Sequence, residues 1–127
     1  MAGLDTLAQP EFVVLVEDDA AVRTSLEFTF GLHGYEVISC PSAEDLLQRS
    51  LPAGRGCIVI DERLPGMGGL ECLATLRADG SRLPAALITS NPPPQLRRAA
   101  AAAGVPIIEK PLLGEALSAW VRAALRG

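Results

Sequence analysis

Apolar and polar positions along this chain follow two alternating rhythms. Phe12 to Val16, Cys57 to Ile60, Ala85 to Thr89 and Val105 to Ile108 are short runs apolar at nearly every position, and Glu36 to Cys40 is a looser one. Each predicts a strand. Between them, apolar residues recur three or four apart: Val22, Leu26 and Phe30 in one stretch, Leu113, Leu117, Trp120 and Ala124 in another. That period gathers each set on one helical face. Helices are predicted over Ala20 to Leu32, Ala43 to Arg49 and Leu70 to Ala78, with one more after each of the last two strands. Gly34, Pro41, Gly54, Pro65, Gly66, Gly80, Pro84, Gly104 and Pro111 fall between these stretches as punctuation. Strands apolar at consecutive positions are buried on both faces, as in parallel sheets. Five strand–helix repeats therefore predict an α/β domain with a parallel sheet covered on both sides through right-handed crossovers. Residues 1–10 show no period and end in Pro10, so they read as a flexible leader before a domain over 11–127. The run Ala99 to Ala103 reads as strong helix propensity.

Composition narrows the function classes. With 127 residues, 49% apolar and 20% charged, the chain suits one domain able to bury a core. Its net charge of −4 and its scattered arginines lack the basic footprint of a nucleic-acid binder, so direct nucleic-acid binding is not expected. No apolar stretch reaches the roughly 18 to 20 residues of a bilayer span. The expectation is a cytoplasmic protein without a membrane partner. Cys40, Cys57 and Cys72 are odd in number and lack metal-ligand spacing, which predicts buried free thiols. His33, followed by Gly34 at a helix end, reads as a capping or surface residue.

Charge then appears where three strands stop. Glu17-Asp18-Asp19 follows the first, Asp61 the third and Lys110-Pro111 the fifth. The carboxyl ends of parallel strands are where ligands gather in open α/β sheets. Glu17, Asp18 and Asp61 together would repel one another unless neutralised, and a hard divalent cation such as Mg²⁺ suits an all-oxygen set. A simpler reading also stands: Asp18 or Asp19 caps the following helix, and Asp61 belongs to a turn with Leu64-Pro65-Gly66. Lys110 would supply a fixed positive charge and Thr89 a hydroxyl donor beside it. A carboxylate in such a setting can attack phosphorus and form an acyl phosphate.

Taken together, Leu15-Val16-Glu17-Asp18-Asp19, Ile58-Val59-Ile60-Asp61 with Leu64-Pro65-Gly66-Met67 and Gly69-Leu70, Ile88-Thr89-Ser90, and Glu109-Lys110-Pro111 resemble the receiver domain of two-component response regulators. The resemblance runs from about Phe12 to Leu125. It implies a single doubly wound (βα)5, flavodoxin-like domain with strand order 2-1-3-4-5. It also implies that Asp61 is the phosphoacceptor, that Glu17 and Asp18 hold Mg²⁺, one of them through water, and that the Arg63 backbone carbonyl is a further metal ligand. Thr89 and Lys110 would contact the phosphoryl oxygens, and Pro111 would follow a cis peptide bond. The implied donor is a histidine kinase or histidine phosphotransfer protein, and the implied output is an altered surface for a downstream protein. Such a module is a phosphoryl-accepting regulator with slow self-dephosphorylation rather than an enzyme. Self-association into a homodimer is left open.

Departures from the family pattern accompany the resemblance. Ile107 stands where many receivers carry Tyr or Phe, so switching by an aromatic side chain is not available. Asn91-Pro92-Pro93-Pro94 predicts extended backbone before Pro92 and Pro93, a late-starting fourth helix and a stiffened loop. Ser90, Arg63 and Asn91 are placed to tune how water reaches an acyl phosphate, and Gly68 replaces a polar residue common in relatives. Two competing functions follow. A pseudo-receiver would bind its partner without phosphorylation, and an aspartate-nucleophile phosphatase would need a second acid where Arg63 stands.

Overall fold

The computed structural model describes residues 10–112 and 114–126. Nine of the ten leader residues, and Leu113, lie outside that range. Strand and helix alternate throughout: β1 (Phe12–Val16), α1 (Ala20–Leu32), β2 (Glu36–Cys40), α2 (Ala43–Leu47), β3 (Gly56–Asp61), α3 (Gly69–Ala78), β4 (Ala85–Thr89), α4 (Pro94–Ala102), β5 (Ile107–Glu109) and α5 (Ala116–Arg126). The five strands are all parallel, in the order β2-β1-β3-β4-β5, the doubly wound arrangement expected. No helix among the described residues is long and apolar enough to cross a membrane.

Strand alternation divides the core into two layers. Phe12, Val14, Val16, Ile58, Ile60, Ala85 and Leu87 pack with Ala43, Leu46, Cys72, Leu73 and Ala100 of α2, α3 and α4. Val13, Leu15, Cys57, Val59 and Ile88 pack with Leu26 and Phe30 of α1 and Leu117, Val121 and Leu125 of α5. Each fully buried Val, Leu, Ile or Phe side chain contributes roughly 1.5–3 kcal/mol, so these two layers are what hold the strand ends in place. The three thiols are free and buried as expected.

Local chemistry sets the helix limits. Asp19 caps α1, and Gly34, at φ +84°, follows His33 at its end, so His33 is the C-terminal capping residue. Ser42 Oγ accepts from Asp45 N at the start of α2, which stops at Leu47 rather than the predicted Arg49. There the backbone tightens: Gln48 N donates to Asp45 O and Arg49 N to Leu46 O, three residues back.

Strand β5 begins at Ile107, not Val105. Pro106 has no N–H and enters the ladder only through its carbonyl, which accepts from Leu87 N at 2.9 Å, while Val105 N closes α4 onto Ala100 O. The proline segment behaves as a helix start, with Pro93 as N-cap and Pro94 as the first helical residue. Asn91 does not take the extended conformation expected before proline; its φ is +45°. A short amide side chain tolerates that left-handed region better than most. Ile107 pairs with Leu87 and packs, half-buried, on the α2–α4 layer.

Candidate functional site

Parallel pairing brings the ends of β1, β3, β4 and β5 to one edge of the sheet. Glu17 N continues the ladder past Val16 by donating to Cys40 O at 3.1 Å, and Lys110 N donates to Thr89 O at 2.9 Å. Asp61 is the last residue of β3. Backbone ladders thus carry Glu17, Asp61, Thr89 and Lys110 to neighbouring positions.

Lys110 Nζ donates to Asp61 Oδ2 at 2.7 Å and to Glu17 Oε1 at 2.9 Å. Glu17 is fully buried and Asp61 is 3% exposed. Asp18 points to the exposed mouth, and one carboxylate oxygen each from Glu17, Asp18 and Asp61 lie within 4.8 Å of one another. The two sequence readings of the acidic run hold at different residues. Asp19 Oδ1 caps α1 by accepting from Ala21 N at 2.9 Å and Val22 N at 3.2 Å, which leaves Asp18 to the cluster. Asp19 N in turn donates to Glu17 Oε2, and Arg23 Nη1 to the Glu17 carbonyl.

Burial pushes the Glu17 carboxyl above its ordinary range, and Asp61 adds to this, while Lys110 and the Asp19 N–H oppose it. For Lys110, burial pulls downward, but the bonds to Asp61 and Glu17 overcome it and hold the ammonium above its usual value. Three carboxylates against one ammonium leave two formal negative charges, in a set made only of hard oxygen donors. That is the charge and chemistry a Mg²⁺ ion fits.

Thr89 is fully buried, and its Oγ1 has no hydrogen-bond partner among the described residues. A hydroxyl stored that way carries a desolvation cost that a new acceptor would relieve. Arg63 N donates to Asp61 Oδ1 at 3.0 Å, so it holds the carboxylate oxygen that Lys110 does not. Lys110–Pro111 is the cis peptide expected.

The surroundings hold two acids that the sequence did not single out, Glu62 and Glu44. Gly68 gives α3 no side-chain cap, and Glu62 takes over: its Oε1 accepts from Leu70 N at 2.8 Å. Glu44 of α2 holds the β3–α3 loop by accepting from Met67 N at 2.9 Å. Gly69 sits so close that a Cβ would lie 2.4 Å from the Asp61 carbonyl oxygen. Neither Glu62 nor Glu44 had a sequence signal beyond residue type, since each contact depends on how separate segments meet.

Residues 13–122 match the family model described as the response regulator receiver domain. The transcriptional regulatory protein FixJ of Azorhizobium caulinodans is 39% identical over 114 residues, covering 89% of this chain and 54% of that protein. The two-component response regulator PhoP of Pseudomonas aeruginosa is 35% identical over 115 residues, covering 90% of this chain and 51% of its own. The chain spans about half the length of the curated relatives it matches. Among solved structures, FixJ-N superposes with a TM-score of 0.80 at 31% identity, covering 93% of this chain and 95% of that one. The Vibrio cholerae chemotaxis protein CheY4 shares the fold, with a TM-score of 0.80 at 22% identity over 92% of this chain and 100% of its own.

Proposed function

The chain belongs to the response regulator receiver domain family, and we propose that it works by accepting a phosphoryl group on Asp61 from a histidine kinase or histidine phosphotransfer protein. The observation that carries this reading is the Lys110 ammonium shared between Asp61 and Glu17, with Asp18 completing a carboxylate cluster at the mouth.

A carboxylate oxygen of Asp61 forms a bond to phosphorus as the bond from phosphorus to the donor imidazole nitrogen breaks, and that nitrogen keeps the electron pair. Lys110 stays beside the carboxylate and offsets the charge carried in by the phosphoryl oxygens. The Arg63 N–H orients the nucleophile. Thr89 supplies the buried hydroxyl that gains an acceptor once a phosphoryl group is present. Glu17, Asp18 and Asp61, with the Arg63 backbone carbonyl, would hold Mg²⁺, which supplies further positive charge against the incoming group.

The product is a changed surface for a downstream protein, in a cytoplasmic signalling step. Slow hydrolysis returns the domain to its starting state, so it acts as a regulator and not as a turnover enzyme. A binding module independent of phosphorylation is not favoured, because the whole acceptor set is assembled. With Ile107 beside Leu87, transmission of the signal does not use an aromatic at that position.

Intact-protein mass after incubation with Mg²⁺ and acetyl phosphate tests the reading. The expected result is a gain of one phosphoryl mass that disappears without Mg²⁺ and in Asp61→Asn. Labelling of Asp61→Asn at the wild-type rate would show that Asp61 is not the acceptor.

A further inference from the structure

We infer that Glu44 is a positioning residue for the Mg²⁺ site: from α2 it holds the β3–α3 loop in the shape that presents the Arg63 carbonyl, a role that rests on the metal set proposed above and adds to it a residue outside that set. The loop leaves β3 at Asp61 and enters α3 at Gly69. Its base is closed by its own backbone, since Gly69 N donates to Glu62 O at 3.3 Å and Arg63 N to Asp61 Oδ1 at 3.0 Å. Between these ties the Arg63 carbonyl accepts no hydrogen bond among the described residues, which leaves it free for a cation.

The tip of the loop is held from outside. Pro65 has no N–H, and the one hydrogen bond made by Pro65, Gly66 and Met67 among the described residues runs from Met67 N to Glu44 Oε2 at 2.9 Å. Gly66 is fitted to that contact: its φ is +79°, and a Cβ there would lie 2.6 Å from the same Glu44 oxygen. The Met67 N–H also holds the Glu44 carboxyl below its ordinary range, so the acceptor is ionised at neutral pH and the bond is charge-assisted.

The platform behind Glu44 is firm. Glu44 is the second residue of a helix whose start is capped by Ser42, and Ala43 beside it is fully buried, its carbonyl facing Cys72 Sγ of α3 at 4.0 Å. The loop is thus clamped twice, by α3 at Gly69 and by α2 at Met67. Glu44 is no member of the carboxylate cluster, so it acts on the metal through the loop and not by contact. Linkage makes the effect reciprocal: whatever the bond to Met67 adds to cation affinity, the cation adds to that bond.

The test is isothermal titration of Mg²⁺ into the full chain for wild type, Glu44→Ala and Glu44→Gln, with amide exchange at Met67 followed in the presence and absence of the ion. Glu44→Ala removes the acceptor and should weaken Mg²⁺ about three- to tenfold, the scale on which residues outside a site modulate it. Glu44→Gln removes the charge but keeps an acceptor at the same reach, so its affinity should fall between the two. Mg²⁺ should slow exchange at Met67 in wild type, and that slowing should be lost in Glu44→Ala. Wild-type affinity in Glu44→Ala, even with a lower denaturation midpoint, would overturn the inference, since the role would then be structural only. So would Gln and Ala variants equally weak, because the loss would then come from a distant negative charge and not from the bond. Met67 exchange in wild type that ignores Mg²⁺ would overturn it as well. Absence of any Mg²⁺ binding by the wild-type chain would strike the proposed metal set itself, and this inference with it.

Discussion

Lys110 Nζ bridges Asp61 Oδ2 at 2.7 Å and Glu17 Oε1 at 2.9 Å, so two buried carboxylates at the ends of different strands share one ammonium. Removing it leaves both uncompensated. Breaking a buried pair from one side costs roughly 3–5 kcal/mol, and the 22% exposure of Lys110 places this site at the lower end. Lys110→Met should lose about 3 kcal/mol in metal-free buffer, measured by urea denaturation. An unchanged midpoint would mean that the carboxylates are already neutral or solvated.

The same imbalance predicts a response to cations. Glu17, Asp18 and Asp61 crowd their oxygens within 4.8 Å. A ligand bound only by the folded state stabilises by about 2.7 kcal/mol at a hundredfold excess over its dissociation constant. Thermal denaturation in Mg²⁺ should therefore sit above that in EDTA. Asp18→Asn should shrink this gap while raising the melting point in EDTA, because one repelling charge is gone. A variant with the full Mg²⁺ shift would remove Asp18 from the metal set.

Thr89 carries a hydroxyl that is buried without a partner among the described residues. Valine keeps the shape and drops the unpaired group. Thr89→Val should therefore be neutral to about 1 kcal/mol more stable, against the usual loss for a core substitution. The proposed role predicts a second effect, a weaker conformational response once Asp61 is phosphorylated. Chemical-shift changes with and without a beryllofluoride mimic, compared between wild type and variant, would measure it.

The fold was legible because its central strands are buried on both faces and therefore apolar at successive positions, as at Val13, Val14 and Leu15. The site was legible for a related reason: charge directly after such a run has nowhere to go but the sheet edge. What stayed hidden depended on tertiary contact. Nothing local decides that Asp19 caps α1 while Asp18 turns to the cluster, since either acid suits a helix start. Glu62 caps α3 from eight residues before Leu70, because the loop between them folds back. The early bound given for β5 ignored that Pro106 cannot donate to the ladder. Asn91 departed from the extended preference before proline, taking φ +45°, a region that a short amide side chain tolerates better than most.

The buried thiols make the fold sensitive to alkali. Burial pushes Cys57 up to about 12, and Cys40 and Cys72 up to about 11, from an ordinary value of 9.0. The folded state therefore binds thiol protons that the unfolded chain has released, and stability falls as pH rises from about 9 toward 11–12. Each tenfold preference for the protonated thiol is worth about 1.4 kcal/mol. Unfolding free energy measured from pH 8 to 11 should decline. Cys57→Ala should lose stability at pH 8 through its cavity, yet decline less steeply, and an equal slope would show that Cys57 is not the source.

A single methyl group separates two glycines by their surroundings. At Gly69 a Cβ would lie 2.4 Å from the Asp61 carbonyl oxygen and 2.9 Å from Leu87 Cδ1. Backbone at a strand end cannot yield as a flexible side chain can, so Gly69→Ala should cost roughly 1–3 kcal/mol by overpacking. Because the clash falls on the residue proposed as the acceptor, it should also slow the proposed phosphoryl gain by Asp61. At Gly31, inside α1, a Cβ meets nothing within 4 Å. Gly31→Ala should stabilise by up to about 1 kcal/mol through helix propensity and leave the phosphorylation rate unchanged. Denaturation midpoints and mass-gain rates for the two variants side by side decide it. Equal effects at both positions would mean that the tight seat of Gly69 on Asp61 does not position the proposed acceptor.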